Sequence, residues 1–110
     1  MKSKAKTVPH PGEILRREYL EKTGLTGNAL ALALRVPATR ISEILRGRRS
    51  ITADTALRLQ CYFGQAGNSA SACEWMVLQN QYDLAIGMKN LWPKIKMEIR
   101  PRRNDAAGAS

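Results

Sequence analysis

Thr39, Arg40, Glu43 and Arg46 are spaced to share one side of a helix, and Arg48 and Arg49 follow directly behind them. The chemistry open to this set is recognition. A guanidinium is a rigid fork of donors that stays charged at any ordinary pH. Arg40 can therefore give two parallel bonds to guanine O6 and N7, and Thr39 can offer its methyl to thymine or its hydroxyl to a base edge. Glu43 either accepts from cytosine N4 or orients Arg40. Arg46, Arg48 and Arg49 suit phosphates, which fix register without reading sequence. Taken singly, each of these residues is ordinary solvated surface, and Arg40 with Glu43 is an i,i+3 ion pair of little worth. Their concentration in one segment argues otherwise.

The chain has 110 residues, a formal net charge of +9 and a pI near 10.2. A polyanion is the first partner to consider. Residues 10–64 hold nine Lys or Arg against five acids, and the whole excess lies between 35 and 49, where Arg35, Arg40, Arg46, Arg48 and Arg49 face Glu43 alone. Solvated surfaces mix signs, whereas a footprint for phosphates clusters one. Residues 1–9 add three lysines and no acid, a basic flexible arm, and residues 93–110 carry five basic groups against two acids.

Other features exclude function classes. No apolar run reaches bilayer length, and the basic start MKSKAKTVPH has no apolar segment behind it, so it is no secretory signal. A cytoplasmic protein is expected. Cys61 and Cys73 lack metal spacing and read as buried or idle thiols. His10 is the sole histidine, so neither a metal site, a cofactor nor a catalytic residue is expected, and general acid–base chemistry lacks its parts. The scarcity of aromatics leaves few stacking platforms for a coater of single strands.

Periodicity and punctuation place the elements. Pro11 and Gly12 open a first helix with Ile14, Leu15 and Tyr19 on one side and a Glu13–Arg17–Glu21 ladder on the other. Gly24 ends it, and Leu25 turns back onto the core. Thr26 caps a second helix with Leu30 and Leu34 on one face. Val36-Pro37 breaks the chain. A third helix runs from about Ala38 to Arg46, stopped by Gly47, with Ile41, Ile44 and Leu45 inward and Thr39, Arg40, Glu43 and Arg46 outward. Two short helices around a bend are the unit that sets a recognition helix in the major groove. Thr26 and Asn28, at the start of the second helix, add a candidate phosphate site. Thr52 caps a fourth helix whose Ala56, Leu59 and Phe63 close the core.

A fifth helix, about 73–88, is apolar on two sides. Trp75, Leu78, Tyr82 and Ala85 form one stripe, and Val77, Leu84 and Met88 form another almost opposite. One stripe suffices for packing on a single domain. Two imply burial against a second copy, or else a helix deep in its own core. Trp75, Val77, Leu78, Tyr82, Leu84 and Met88 are thus the candidate dimer interface. Beyond it, Lys94 to Arg100 alternates after Pro93, a weak strand signal. Such a strand would pair with its symmetry mate or a partner protein, the alternative being a disordered basic tail.

HPGEIL, VPATRISEILRGRR, ITADTALRL and WMVLQNQYDL, in that order over residues 10–86, resemble the HigA-type antitoxins, members of the lambda-repressor-like helix-turn-helix class. The resemblance implies an all-α domain of five helices over residues 10–92 with a C-terminal dimerisation helix. It also implies a homodimer that binds palindromic double-stranded operator DNA, represses its own operon and neutralises a small basic RelE-like ribonuclease toxin of the HigB type. By position, Thr39 and Arg40 are the base readers. A stand-alone transcription regulator of the same fold is the alternative, separated by whether a toxin gene lies alongside. The chain departs from the family pattern at two places. Arg35 stands where the turn usually has Gly, which either alters the turn or makes Arg35 a further phosphate contact, and the linker GQAGNSASAC is long.

Overall fold

The computed structural model describes residues 7–64 and 69–103. The central residues 65–68 of the linker, the arm before Thr7 and the tail beyond Arg103 lie outside the described residues. Six helices are described: α1 over 11–23, α2 Gly27–Leu34, α3 Ala38–Leu45, α4 Ala53–Phe63, α5 Ala72–Asn90 and α6 Trp92–Glu98. The expectation was five.

His10 closes the start of α1, its Nδ1 accepting from the Gly12 N–H at 2.9 Å, with Pro11 in the first turn where a missing N–H costs nothing. Gly12 is required by space. A Cβ there would lie 1.8 Å from the Ile44 carbonyl oxygen, so the start of α1 rests directly on the end of α3. The middle of α1, Leu15–Leu20, is π-helical, with α-helical turns on either side. The wider turn keeps Leu15 and Leu20, five residues apart, both facing the core. It also re-pairs the outer ladder. Arg17 meets Glu13 at 3.5 Å as expected, but Glu21 meets Arg16 at 3.6 Å, an i,i+5 pair.

Leu15, Leu30, Ile41, Ile44, Ile51, Ala56, Leu59 and Trp75 form a core in which none is more than 1% exposed. Thr26 and Thr52 cap α2 and α4 by accepting from the Ala29 and Thr55 N–H groups. Ser71 and Glu74 make both halves of a capping box at the start of α5. Two side chains tie the incoming linker to the domain: Tyr19 Oη accepts from the Ala70 N–H at 2.7 Å and Gln60 Oε1 from the Ala72 N–H at 2.8 Å.

The tail differs from expectation. Residues 92–98 are helical, and no strand occurs among the described residues. Pro93 falls in the first turn of α6, where its fixed φ favours a helix and its absent N–H has no partner to lose. The alternation of Ile95, Met97 and Ile99 does not mark a strand here, and the helical backbone of 92–98 has no strand edge to pair. Cys61 and Cys73 are free thiols and exposed. Among the described residues no helix is long and apolar enough to cross a membrane.

Candidate nucleic-acid interface

The bend between α2 and α3 is a left-handed helix stop. Arg35 has φ 61° and ψ 46°, its N–H donates to the Leu32 carbonyl, and the Val36 N–H reaches back to Ala31 at 3.0 Å. This double closure normally falls to glycine. Arg35 adopts the same conformation despite its Cβ, so the turn is unaltered in shape and the exposed side chain stands at its outer edge. Pro37 then precedes α3 in extended backbone. Gly47, at φ 74°, stops α3 in the same way, with the Arg48 N–H bonded to the Glu43 carbonyl at 2.8 Å.

Ile41 and Ile44 are fully buried, which fixes the rotation of α3 and turns the opposite side outward. Thr39 is exposed on that side. Arg40 is half-covered and held: its Nη1 donates to Asp54 Oδ2 at 2.6 Å. Asp54 also accepts from Arg58 Nε at 2.9 Å, and the two arginines, Arg58 foremost, hold its carboxyl below the ordinary carboxylate value. Glu43 does not orient Arg40. It pairs with Arg49, whose Nε and Nη2 approach Glu43 Oε1 at 2.8 and 2.6 Å. Arg35, Arg46 and Arg48 are exposed and form no ion pair among the described residues. Thr26 and Asn28 are exposed at the start of α2. The Thr26 oxygen caps the helix, leaving its hydroxyl hydrogen to donate outward. Thr39 and Arg40 thus stand at the head of α3, and the unpaired cations Arg46 and Arg48 at its foot.

A helix-turn-helix family model matches residues 17–65, the span from mid-α1 to the end of α4. The chain is similar to the Pseudomonas aeruginosa antitoxin HigA, solved with the higBA promoter, at 42% identity and a TM-score of 0.78 over 87% of this chain and 99% of that one. The chain belongs to the HigA family of helix-turn-helix antitoxins. A Coxiella burnetii addiction module antidote protein of the HigA family is 41% identical, with a TM-score of 0.76 over 87% of this chain and 99% of that one. The Dichelobacter nodosus virulence-associated protein I is 56% identical over 75 residues, 68% of this chain, and this chain spans 65% of that protein's length. As a HigA-family chain it is of a kind that binds DNA and is not an enzyme.

The fifth helix of this HigA-family chain divides differently from expectation. Trp75 is 1% exposed and packs at 5.4 Å between ring centres against Tyr19, so it belongs to its own core and to no interface. Leu78 packs on that same core, and Tyr82 meets the His10 ring edge-on at 4.8 Å. This stripe closes the domain, because an N-terminal segment, His10 with α1, reaches across to cover it. Val77, Leu84 and Met88 remain exposed on the other side, and Leu91 is exposed just beyond the helix end. Three residues that matter to the site were missed by sequence reasoning. Asp54 and Arg58 were legible only as an i,i+4 pair, since the Arg40 link crosses between helices. Gln79, whose Oε1 takes the Ile51 N–H at 2.7 Å inside the core, carried no sequence signal at all.

Proposed function

We propose that this chain is the antitoxin of a toxin–antitoxin pair: a homodimer that binds operator DNA through α3, represses its own operon and neutralises a small RelE-like ribonuclease toxin. One observation carries the DNA half of this reading. Burial of Ile41 and Ile44 turns Thr39 and Arg40 outward on a face where Arg35, Arg46 and Arg48 are unneutralised. Base-reading groups and phosphate anchors are both needed for specific recognition, and here they share a surface. Thr39 and Arg40 are the readers. Glu43 acts on the Arg49 side chain and through it on the phosphate contacts. Thr26, Asn28, Arg35, Arg46, Arg48 and Arg49 bind phosphates. The solved complex of the Pseudomonas HigA with its promoter supports the same use of the fold.

Dimerisation rests on Val77, Leu84 and Met88, the exposed stripe of α5. A second copy across a two-fold axis would cover it and set two recognition helices about one DNA turn, roughly 34 Å, apart. Two experiments test the proposal. Titration of a duplex spanning the region upstream of its own gene should give tighter binding than a shuffled duplex, and equal affinity for both rejects the operator reading. Co-expression with the neighbouring gene product should yield a stable complex that relieves growth arrest. A protein that binds its operator yet captures no such product is instead a stand-alone regulator.

A further inference from the structure

We infer that Asp54 is a positioning residue that holds Arg40 in the pose from which it reads a base, an inference that rests on Arg40 being a reader. Asp54 lies in the first turn of α4, outside the helix-turn-helix unit itself. Its Oδ2 accepts from Arg40 Nη1 at 2.6 Å and from Arg58 Nε at 2.9 Å, while Arg58 Nη1 donates to the Leu34 carbonyl at 2.9 Å. One chain of bonds thus runs from the last residue of α2, through α4, to the side chain near the start of α3. Its three supports are anchored, since Leu34, Ile41 and Leu59 are all buried beside it.

The bond to Asp54 uses one end of the Arg40 fork. The Nε and Nη2 hydrogens form the other edge, two parallel donors of the kind that guanine O6 and N7 accept. A free arginine gives up rotamer freedom to make such a contact, and one already held gives up less. Asp54 therefore favours the specific complex over the non-specific one. A bare carboxylate would act differently. It would repel every phosphate alike, so its removal would strengthen binding to all duplexes without regard to sequence.

The two roles separate in a four-protein comparison. Wild type, Asp54→Ala, Arg40→Ala and the double variant are titrated against the upstream duplex and a shuffled duplex of the same length and composition. We expect Asp54→Ala to lower the preference for the upstream duplex by about threefold to tenfold, a part of what one bidentate contact confers. The same change in the Arg40→Ala background should do nothing further. Asp54→Asn keeps the size and one acceptor, so it should fall between wild type and Asp54→Ala, and it serves should the alanine variant unfold. An unchanged preference overturns the inference, as does an equal fall with and without Arg40. An equal gain for both duplexes assigns Asp54 to charge repulsion and overturns it too. If Arg40→Ala itself leaves the preference intact, the reader assignment fails, and the inference fails with it.

Discussion

His10 caps α1 with a ring nitrogen that accepts a backbone hydrogen bond, which it can do only while that nitrogen is unprotonated. Burial, partly offset by the Asp83 carboxylate, pushes its pKa below the ordinary 6.5. The folded chain therefore binds fewer protons here than the unfolded chain does. The stabilisation is complete above about pH 6.5 and is lost as pH falls through the lower folded value. Urea unfolding should show a fall in stability on acidification below that point, absent in His10→Ala, which itself should cost about 1 kcal/mol as a lost cap. An identical acid limb in both proteins would contradict this. Arg35 presents the opposite case, a residue in a conformation that does not suit it. A left-handed non-glycine residue costs roughly 1–2 kcal/mol, and glycine loses part of that advantage to its freer unfolded chain. Arg35→Gly should thus stabilise the protein by up to about 1 kcal/mol in thermal or urea unfolding, and it should weaken binding to all duplexes alike if Arg35 touches phosphate. A loss of stability would mean that the side chain does more for the turn than its backbone costs.

The first four helices were legible at the scale of the element because their signals are local. Pro11, Thr26, Val36-Pro37, Gly47 and Thr52 mark starts and stops through their own backbone chemistry, and each lies where those rules put it. The π-helical stretch of α1 was not legible. It depends on where Leu15 and Leu20 meet the rest of the core, which no short window contains. The helix at 92–98 was hidden by the alternation of apolar residues, and Pro93 does not decide the matter because proline both ends helices and starts them. At the candidate interface the outward placement of Thr39 and the exposure of Arg35, Arg46 and Arg48 were legible from spacing and charge. The partners of Arg40 and Glu43 were not, since Asp54 and Arg49 come from outside the helix that carries them. The two-stripe pattern of α5 was real, yet only one stripe is unpartnered, because the aromatic ring of Tyr19 and the imidazole of His10 already cover the other. The remaining stripe carries the dimer proposal. Leu84→Asp places a charge on a residue that is 68% exposed in the protomer, so the fold should survive while the dimer does not. Sedimentation should then report a monomer with an unchanged melting temperature under dilute conditions, and a persistent dimer would place the interface elsewhere.

For the molecule as a whole, the unpaired cations behind α3 and the exposed apolar stripe of α5 lie on different elements. Within residues 10–64 the excess of positive charge sits on the α2–α3 bend and the loop at 46–49, whereas exposed apolar residues gather on the second half of α5 and on α6, at Leu84, Met88, Leu91 and Met97 among others, interspersed with Lys89, Lys94 and Lys96. On the proposed reading one protomer uses α3 for DNA and the exposed stripe of α5 for a second copy. The central claim, that α3 reads sequence while the loop behind it supplies affinity, is tested most directly by one titration series. Wild type, Arg40→Ala and Arg48→Ala are measured by fluorescence anisotropy against the upstream duplex and its shuffled counterpart over a range of salt concentrations. Arg40→Ala should reduce the preference for the upstream duplex by about 1–3 kcal/mol. Arg48→Ala should weaken both duplexes alike and lower the salt slope by about one. If Arg40→Ala keeps the full preference, or if Arg48→Ala abolishes it, the assignment of roles along α3 is wrong.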